Sequence, residues 1–158
     1  MRRLVLRAHI WWTACLIPLL VRALPLGTVL WLVTPARWWH PYRGTAPAAI
    51  GELVRRRLAR PRQMKRRACL REGLMIFRFL CLAGHEPELH FAVFPAEAPP
   101  RPMHAHCWVT LGDVACSTPA EPPCAEMMRY TRGTGARLLP PSTSNSGLTA
   151  GQGHANVR

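Results

Sequence analysis

The fold is decided by residues 68–94, ACLREGLMIFRFLCLAGHEPELHFAVF, where a long apolar stretch gives way to a short one. From Gly73 onward the first stretch is apolar almost all round, which predicts a buried helix over residues 68–83. Gly84 is placed to end that helix, because glycine readily takes the left-handed conformation found at helix C-termini. Residues 89–94, LHFAVF, are typical of a β-strand. The sequence therefore predicts one buried helix that packs on a sheet.

The residues that follow extend this sheet. Residues 104–111, HAHCWVTL, predict a second strand, and Gly112-Asp113 predicts a tight turn after it. Residues 114–117 can then return antiparallel to the second strand. A buried helix followed by an antiparallel meander is typical of the α+β class, and we predict that fold class here.

The N-terminal part of the chain is apolar over residues 10–33, with breaks at Pro18, Arg22 and Pro25. Its length is close to the roughly 20 residues that cross a bilayer. An arginine near the middle of a span costs about 2.5–3.5 kcal/mol on insertion scales. We therefore expect a pair of short apolar helices that pack on the domain or lie in a membrane interface. A membrane span and a signal peptide remain the alternatives.

The length of 158 residues fits one domain of ordinary size with extensions. We assign residues 1–44 to an apolar helical segment and its connector, and residues 45–131 to the α+β domain. That domain is expected to open with an amphipathic helix whose arginines, 55–57 and 60, face water. Residues 132–158 are rich in Gly, Ser, Thr and Pro, and they predict a disordered tail.

The charge of the chain is strongly positive, with 21 basic residues against 8 acidic ones and a formal net charge of +13. Arginine runs at 55–57 and 65–67 would suit a nucleic-acid backbone, an anionic membrane or an acidic peptide. A compositional bias toward Arg, Ala and Pro explains the same runs. A basic nucleic-acid- or membrane-binding protein with structural cysteines is therefore the alternative function.

The six cysteines form no regular disulfide framework, and the chain is longer than small disulfide-dependent scaffolds. We expect a reducing compartment, the cytoplasm. Cys69 opens the buried helix, where unpaired amides and the helix dipole favour a thiolate, and the basic residues 65–67 precede it. Cys81 lies deep in the same helix and is expected to be an inert core thiol. Cys69 is therefore the candidate nucleophile.

The strand over 104–111 supplies the candidate base. Alternation places His104, His106 and Trp108 on one face of this strand. Cys107 and Val109 lie on the other face, which is expected to face the core. His106 beside an indole is the stronger candidate for a base, although an ordinary buried histidine fits the strand equally well.

A zinc site is a third possibility for these residue types. Its ligands would be drawn from Cys69, His104, His106, Cys107, Cys116 and Cys124. No paired C-x-x-C supports such a site, and His106 and Cys107 are expected on opposite strand faces. We therefore predict no metal and no cofactor.

Two runs of residues carry a resemblance to a known family. The run 69–89, CLREGLMIFRFLCLAGHEPEL, is followed by HFAV at 90–93 and by HCWV at 106–109. This pattern resembles the transglutaminase-like leader peptidases of lasso-peptide biosynthesis, whose type member is the microcin-processing protein. The resemblance covers residues 50–130.

This resemblance implies a transglutaminase-like, papain-like core and a cysteine protease that removes the leader from a lasso-peptide precursor. It implies Cys69 as nucleophile and His106 as base. It also implies three partners, namely the precursor peptide, a small leader-binding protein and an asparagine-synthetase-like ligase that closes the ring. A membrane surface is kept as a further alternative partner, and no nucleic acid is expected.

The acid that members of this family place after the His-x-Trp motif is missing in its usual form. Along a straight strand that rises about 3.4 Å per residue, Asp113 would lie more than about 20 Å from His106, which is too far to contact its ring. A two-residue turn would instead bring Ser117 and Thr118 opposite His106. The sequence leaves three alternatives: a dyad, a substitute such as Glu121, or a weakened enzyme.

Overall fold

The computed structural model describes residues 2–59, 68–94, 104–120 and 124–139. The helices are α1 (Arg2–Ala23), α2 (Leu26–Val33), α3 (Pro47–Leu58) and α4 (Ala68–Leu82). The strands are β1 (Glu88–Phe94), β2 (His104–Leu111), β3 (Val114–Ala115), β4 (Ala125–Thr131) and β5 (Gly135–Leu138). They form one antiparallel sheet in the order β3-β2-β1-β4-β5. The predicted α+β class is confirmed.

Helix α4 is the centre of the fold and lies directly against β1 and β2. Its residues from Gly73 to Phe77 are all buried, as the apolar pattern predicted. A Cβ atom added at Gly73 would lie 2.5 Å from Cys107 Sγ and 3.1 Å from Leu89 Cδ1. A glycine is therefore needed at this point for the helix to approach the sheet so closely. Gly84, with φ of 88°, ends the helical region as expected.

The other side of α4 is covered by the first three helices. Helix α1 buries a stripe with helical spacing that consists of Leu6, Ile10, Ala14 and Ile17. Helix α3 adds Ile50, Val54 and Leu58 to the same core. Arg78 of α4 donates hydrogen bonds to the carbonyls of Leu32 and Val33, at 3.1 and 3.3 Å, and so holds the C-terminus of α2.

The N-terminal segment forms two helices, but α1 is longer than the sequence indicated. It has 22 residues and continues through Pro18. Proline removes one helical hydrogen bond, yet Ile17 on one side of it is buried and Val21 on the other packs against the core, so tertiary contacts hold the helix together. Of the described helices, α1 is long and apolar enough to span a membrane, a test that core helices and signal sequences also pass.

The arginines of α3 do not all face water. Arg57 is half-buried, with its guanidinium 5.5 Å from the centre of the Trp11 ring and 3.7 Å from the thiol of Cys15. Arg55 is exposed but donates to the carbonyl of Cys116 at 3.3 Å. The prediction of a solvated face is therefore wrong for Arg57, because α1 packs over it. Arg60 lies outside the described residues.

The chain stays ordered beyond the predicted start of the tail. Strand β5 pairs with β4, and the side chain of Arg132 is only 3% exposed. Arg132 bonds the carboxylate of Glu86 at 2.7 Å and the carbonyl of Cys81 at 3.3 Å. The prediction of disorder from 132 is therefore wrong for residues up to 139, since long-range contacts replace the missing apolar pattern. The remainder, 140–158, lies outside the described residues.

Candidate active site

Cys69 is the second residue of α4 and is half-buried. Its thiol lies 3.9 Å from the carbonyl oxygen of Ala105 in β2. The first amides of an α-helix have no partner within the helix, so Cys69 stands where they can stabilise negative charge. The basic residues 65–67, which were expected to assist, lie outside the described residues.

Two buried thiols, Cys107 and Cys81, are unsuited to act as nucleophiles. Burial raises the pKa of Cys107 far above its ordinary value, and the nearby Cys69 and Glu72 act in the same direction. Burial also raises the pKa of Cys81 to about 12. Both groups stay as neutral thiols at physiological pH. Cys69, which is half-buried at the helix start, is the reactive candidate among the three.

His106 lies in β2 with one ring nitrogen fixed. Its Nε2 atom is 2.9 Å from the carbonyl oxygen of Thr118. A carbonyl can only accept, so Nε2 carries the proton in the neutral ring and Nδ1 is the basic nitrogen. This is the tautomer that a general base needs if it takes a proton through Nδ1.

The group that holds His106 comes from the returning chain after β3, near the position that the turn geometry indicated. It is the backbone carbonyl of Thr118 and not a side-chain hydroxyl. The hydroxyl of Ser117 instead accepts a hydrogen bond from the backbone amide of Val109 at 2.9 Å. Asp113 is exposed at the far turn, which agrees with its exclusion. Glu121 lies outside the described residues.

Trp108 stacks between two histidines on the face of the sheet that carries His106. Its ring centre lies 6.2 Å from that of His106 and 5.0 Å from that of His90, with interplanar angles of 18° and 9°. His90 is buried, and its two nitrogens lie 2.6 Å from Glu126 and 2.9 Å from Thr110. The stack fixes the plane of Trp108 and gives His106 an apolar neighbour.

Glu72 is an acidic residue near the candidate site that the sequence analysis did not single out. It lies one helical turn after Cys69 on α4 and is half-buried. Burial raises the pKa of Glu72, although the charges of Arg55 and of a protonated His106 act in the opposite direction. Its carboxylate therefore lies within electrostatic reach of His106 and favours the protonated imidazole that forms when a thiol loses its proton.

Cys69 and His106 line one cavity of about 360 Å³. The structure shows no hydrogen bond between the Cys69 thiol and the His106 ring, although both residues lie within its described part. Catalytic hydrogen bonds are often long in the free enzyme and tighten when substrate binds. Both residues border this cavity, but α4 packs on the Cys107 face of β2 and the His106 side chain lies on the opposite face, so the thiol and the imidazole are not joined in the free chain.

The residues proposed as alternative zinc ligands do not come together. Within the described ranges, no group of three or more His, Cys, Asp and Glu side chains is placed to hold a metal ion. Cys107 lies on the core face of β2 and His106 on the other, as strand alternation requires. The side chain of His104 lies outside what the structure describes.

The fold defines the class of the chain, an α+β protein in which a buried helix that begins near a cysteine packs on an antiparallel sheet. The model of one family in that class, the transglutaminase-like superfamily, matches residues 14–126. The chain belongs to this superfamily, which includes cysteine peptidases. The match begins inside α1 and so takes in part of the segment assigned to 1–44. No curated protein and no solved structure matches the chain.

Proposed function

We propose that the protein is a cysteine peptidase that removes the leader from a lasso-peptide precursor. One observation supports the peptidase activity: Cys69 and His106 both border one cavity, and Thr118 holds the imidazole with Nδ1 as its basic nitrogen. The substrate class rests on the resemblance of 69–89 and 106–109 to the leader peptidases. That resemblance also supplies the proposed partners, a small leader-binding protein and the ring-forming ligase.

The chemistry follows from the two side chains. His106 Nδ1 takes the proton of Cys69, and the thiolate attacks the carbonyl carbon of the scissile amide to form a C–S bond. Backbone amides at the start of α4 stabilise the oxyanion. The C–N bond then breaks, and the leaving amine receives the proton from His106. Water hydrolyses the thioester, which releases the leader and restores the thiol.

The surroundings support this use of His106. Glu72 stabilises the imidazolium that follows proton transfer, and the Trp108 ring lies beside His106 with its centre 6.2 Å from the centre of the imidazole. The fixed Nε2 contact means that the ring does not need to find its tautomer during the reaction. All six cysteines are free thiols, which fits the proposed cytoplasmic location.

The test is cleavage of the cognate precursor by the full chain together with its leader-binding partner. Cys69→Ala should abolish release of the leader, because no other group replaces the nucleophile. Cys124→Ala, a change at another half-buried thiol, is the matched control and should leave cleavage intact. Mass spectrometry of the peptide products measures both. Unchanged cleavage by Cys69→Ala would refute the proposed function.

The alternative, a basic binding protein, makes the opposite prediction. Binding to nucleic acid or to anionic vesicles that collapses with salt and ignores Cys69→Ala would favour it.

A further inference from the structure

The cavity beside Cys69 and His106 has walls that the proposed chemistry does not use. Apart from the thiols and the imidazole, the lining is aliphatic or aromatic and carries no formal charge. Val21 and Leu24 come from the end of α1, and Leu26 and Val29 come from α2. Phe91 of β1 also lines the cavity. An enclosure of about 360 Å³ is within the range of ligand sites, which run from about 300 to 1,000 Å³.

An apolar cavity next to a nucleophile favours apolar substrate side chains, because their burial is favourable. An apolar side chain that enters it leaves water and contacts only apolar groups, which is favourable. A carboxylate or an ammonium group that enters loses its hydration, and the aliphatic and aromatic walls of the cavity offer it no charged partner. The cavity therefore discriminates between substrates by the polarity of the residue that sits beside the reacting carbonyl.

We propose that this cavity is a substrate subsite that takes an apolar side chain next to the scissile bond, and that the α1–α2 corner determines this preference. The inference rests on the proposed function, since it names the substrate class of the same site. The corner is the part of the wall contributed by Leu24 and Leu26, on either side of Pro25. Contacts with the core hold this corner in place, because Val29 is buried and Arg78 binds the carbonyls at the end of α2.

Leu26 is the position at which the preference can be changed with least effect on the fold. It is 39% exposed, whereas Val29 in the same wall is 1% exposed and belongs to the core. A polar group at position 26 places a hydrated side chain at the cavity edge and leaves the α4 packing untouched. Leu19 of α1 is also exposed, at 64%, and does not line the cavity, so it is a matched control.

The experiment measures alkylation of Cys69 in the full chain by two probes, iodoacetamide and N-benzyl iodoacetamide. Each reaction forms a C–S bond and expels iodide, and peptide mapping reports modification at Cys69 itself. The readout is the ratio of the two rates, divided by the same ratio for glutathione, which removes the intrinsic reactivity of the probes. We expect the wild-type ratio to favour the benzyl probe by about tenfold, the scale on which apolar pockets discriminate.

Leu26→Asp should reduce this ratio toward that of glutathione, and Leu19→Asp should leave it unchanged. Circular dichroism checks that each variant is folded. If Leu26→Asp does not fold, Leu26→Gln supplies the same comparison without a charge. A wild-type ratio near one overturns the subsite, and an unaltered ratio in a folded Leu26 variant overturns the role of the corner.

A second measurement separates this inference from the proposed function. Cleavage of the precursor is compared with cleavage of two variant precursors. One carries Asp at the residue before the scissile bond, and the other carries Asp at the residue after it. Alkylation requires only a reachable thiol, so a benzyl preference with no cleavage of any precursor would refute the peptidase and retain the apolar site. Cleavage that depends on Cys69 but tolerates Asp at both positions would retain the peptidase and overturn the subsite.

Discussion

The two faces of the β1–β2 pair make different contributions to the molecule although the same strands supply both. One face carries Cys107 and Val109, which are buried against α4 beside Gly73. The other face carries the stack of His106, Trp108 and His90. Changes on the first face should alter stability, whereas changes on the second should alter chemistry or its dependence on pH.

The two histidines of the second face sharpen this contrast. His90 is buried, and both of its nitrogens have side-chain partners. His106 is half-buried, lines the cavity and has one nitrogen held by a carbonyl. Thus His90 is fixed as part of the structure, while His106 keeps a nitrogen that can exchange a proton. Two rings on either side of one indole differ because their neighbours differ.

The largest effect is expected from His106→Ala. General bases typically contribute about 10²–10⁴-fold to rate, so cleavage of the precursor should fall by that factor. Stability should change by about 1 kcal/mol or less, since the ring makes one neutral hydrogen bond in the described structure. Precursor cleavage and urea unfolding measure the two quantities.

His85→Ala is the matched control for this change. The His85 ring bonds the carbonyl of Thr45 and does not line the cavity. Cleavage by this variant should remain at the wild-type rate. If His106→Ala cleaves as fast as the wild type, another group is the base and the contrast between the two histidines has no chemical meaning.

The next effect concerns the core face and is expected from Gly73→Ala. Overpacking against Cys107 costs about 1–3 kcal/mol, while alanine gains up to about 1 kcal/mol of helix propensity over glycine. The clash should win, because the 2.5 Å contact involves a thiol that is itself buried. We expect a net loss of about 1 kcal/mol or more in the free energy of unfolding, measured with urea.

A double-mutant cycle tests the cause of that loss. Cys107→Ala alone should also be destabilising because it removes a buried sulfur. Combined with Gly73→Ala, it removes the atom that clashes, so the double variant should be more stable than the sum of the two losses predicts. Strictly additive losses would show that the close approach of α4 to β2 is not the reason for the glycine.

The core face is also the part of the molecule that the sequence predicted best. The helix expected over 68–83 is Ala68–Leu82, and the strand expected over 104–111 is His104–Leu111. Local pattern suffices there, because an unbroken apolar run and strict alternation each match one kind of element. The transglutaminase-like core is confirmed at the level of the superfamily. The roles of Cys69 and His106 and the leader-peptidase function remain proposals.

The parts that the sequence did not predict depend on contacts between distant residues. Strand β4, AEMMRYT, mixes polar and apolar residues and becomes a strand because β1 pairs with it. Glu126 reaches His90 only through that pairing, across 36 positions of sequence. The group that holds His106 is the backbone carbonyl of Thr118, so a search of the sequence for an acidic side chain could not find it. A search that paired each candidate strand with β1 would have brought Glu126 beside His90.

The smallest effect is expected from Glu126→Gln and should appear as a change in pH dependence. Burial alone would raise the pKa of Glu126, but hydrogen bonds to His90 and Arg129 outweigh it and hold the pKa below the ordinary value of 4.5. A carboxyl with a depressed folded pKa stabilises the protein above its unfolded pKa, and this contribution is lost as pH falls through the folded pKa. Wild-type stability should therefore decline on acidification from about pH 6 to about pH 3.5 by about 1 kcal/mol more than that of the variant.

Urea unfolding of both proteins at the two pH values measures this difference. Glu52→Gln is the matched control, since Glu52 pairs with Arg56 on the exposed surface of α3, where a salt bridge contributes little. Its acid sensitivity should equal that of the wild type. If Glu126→Gln loses stability on acidification as steeply as the wild type, the carboxylate does not hold His90, and His90 and His106 would differ by burial alone.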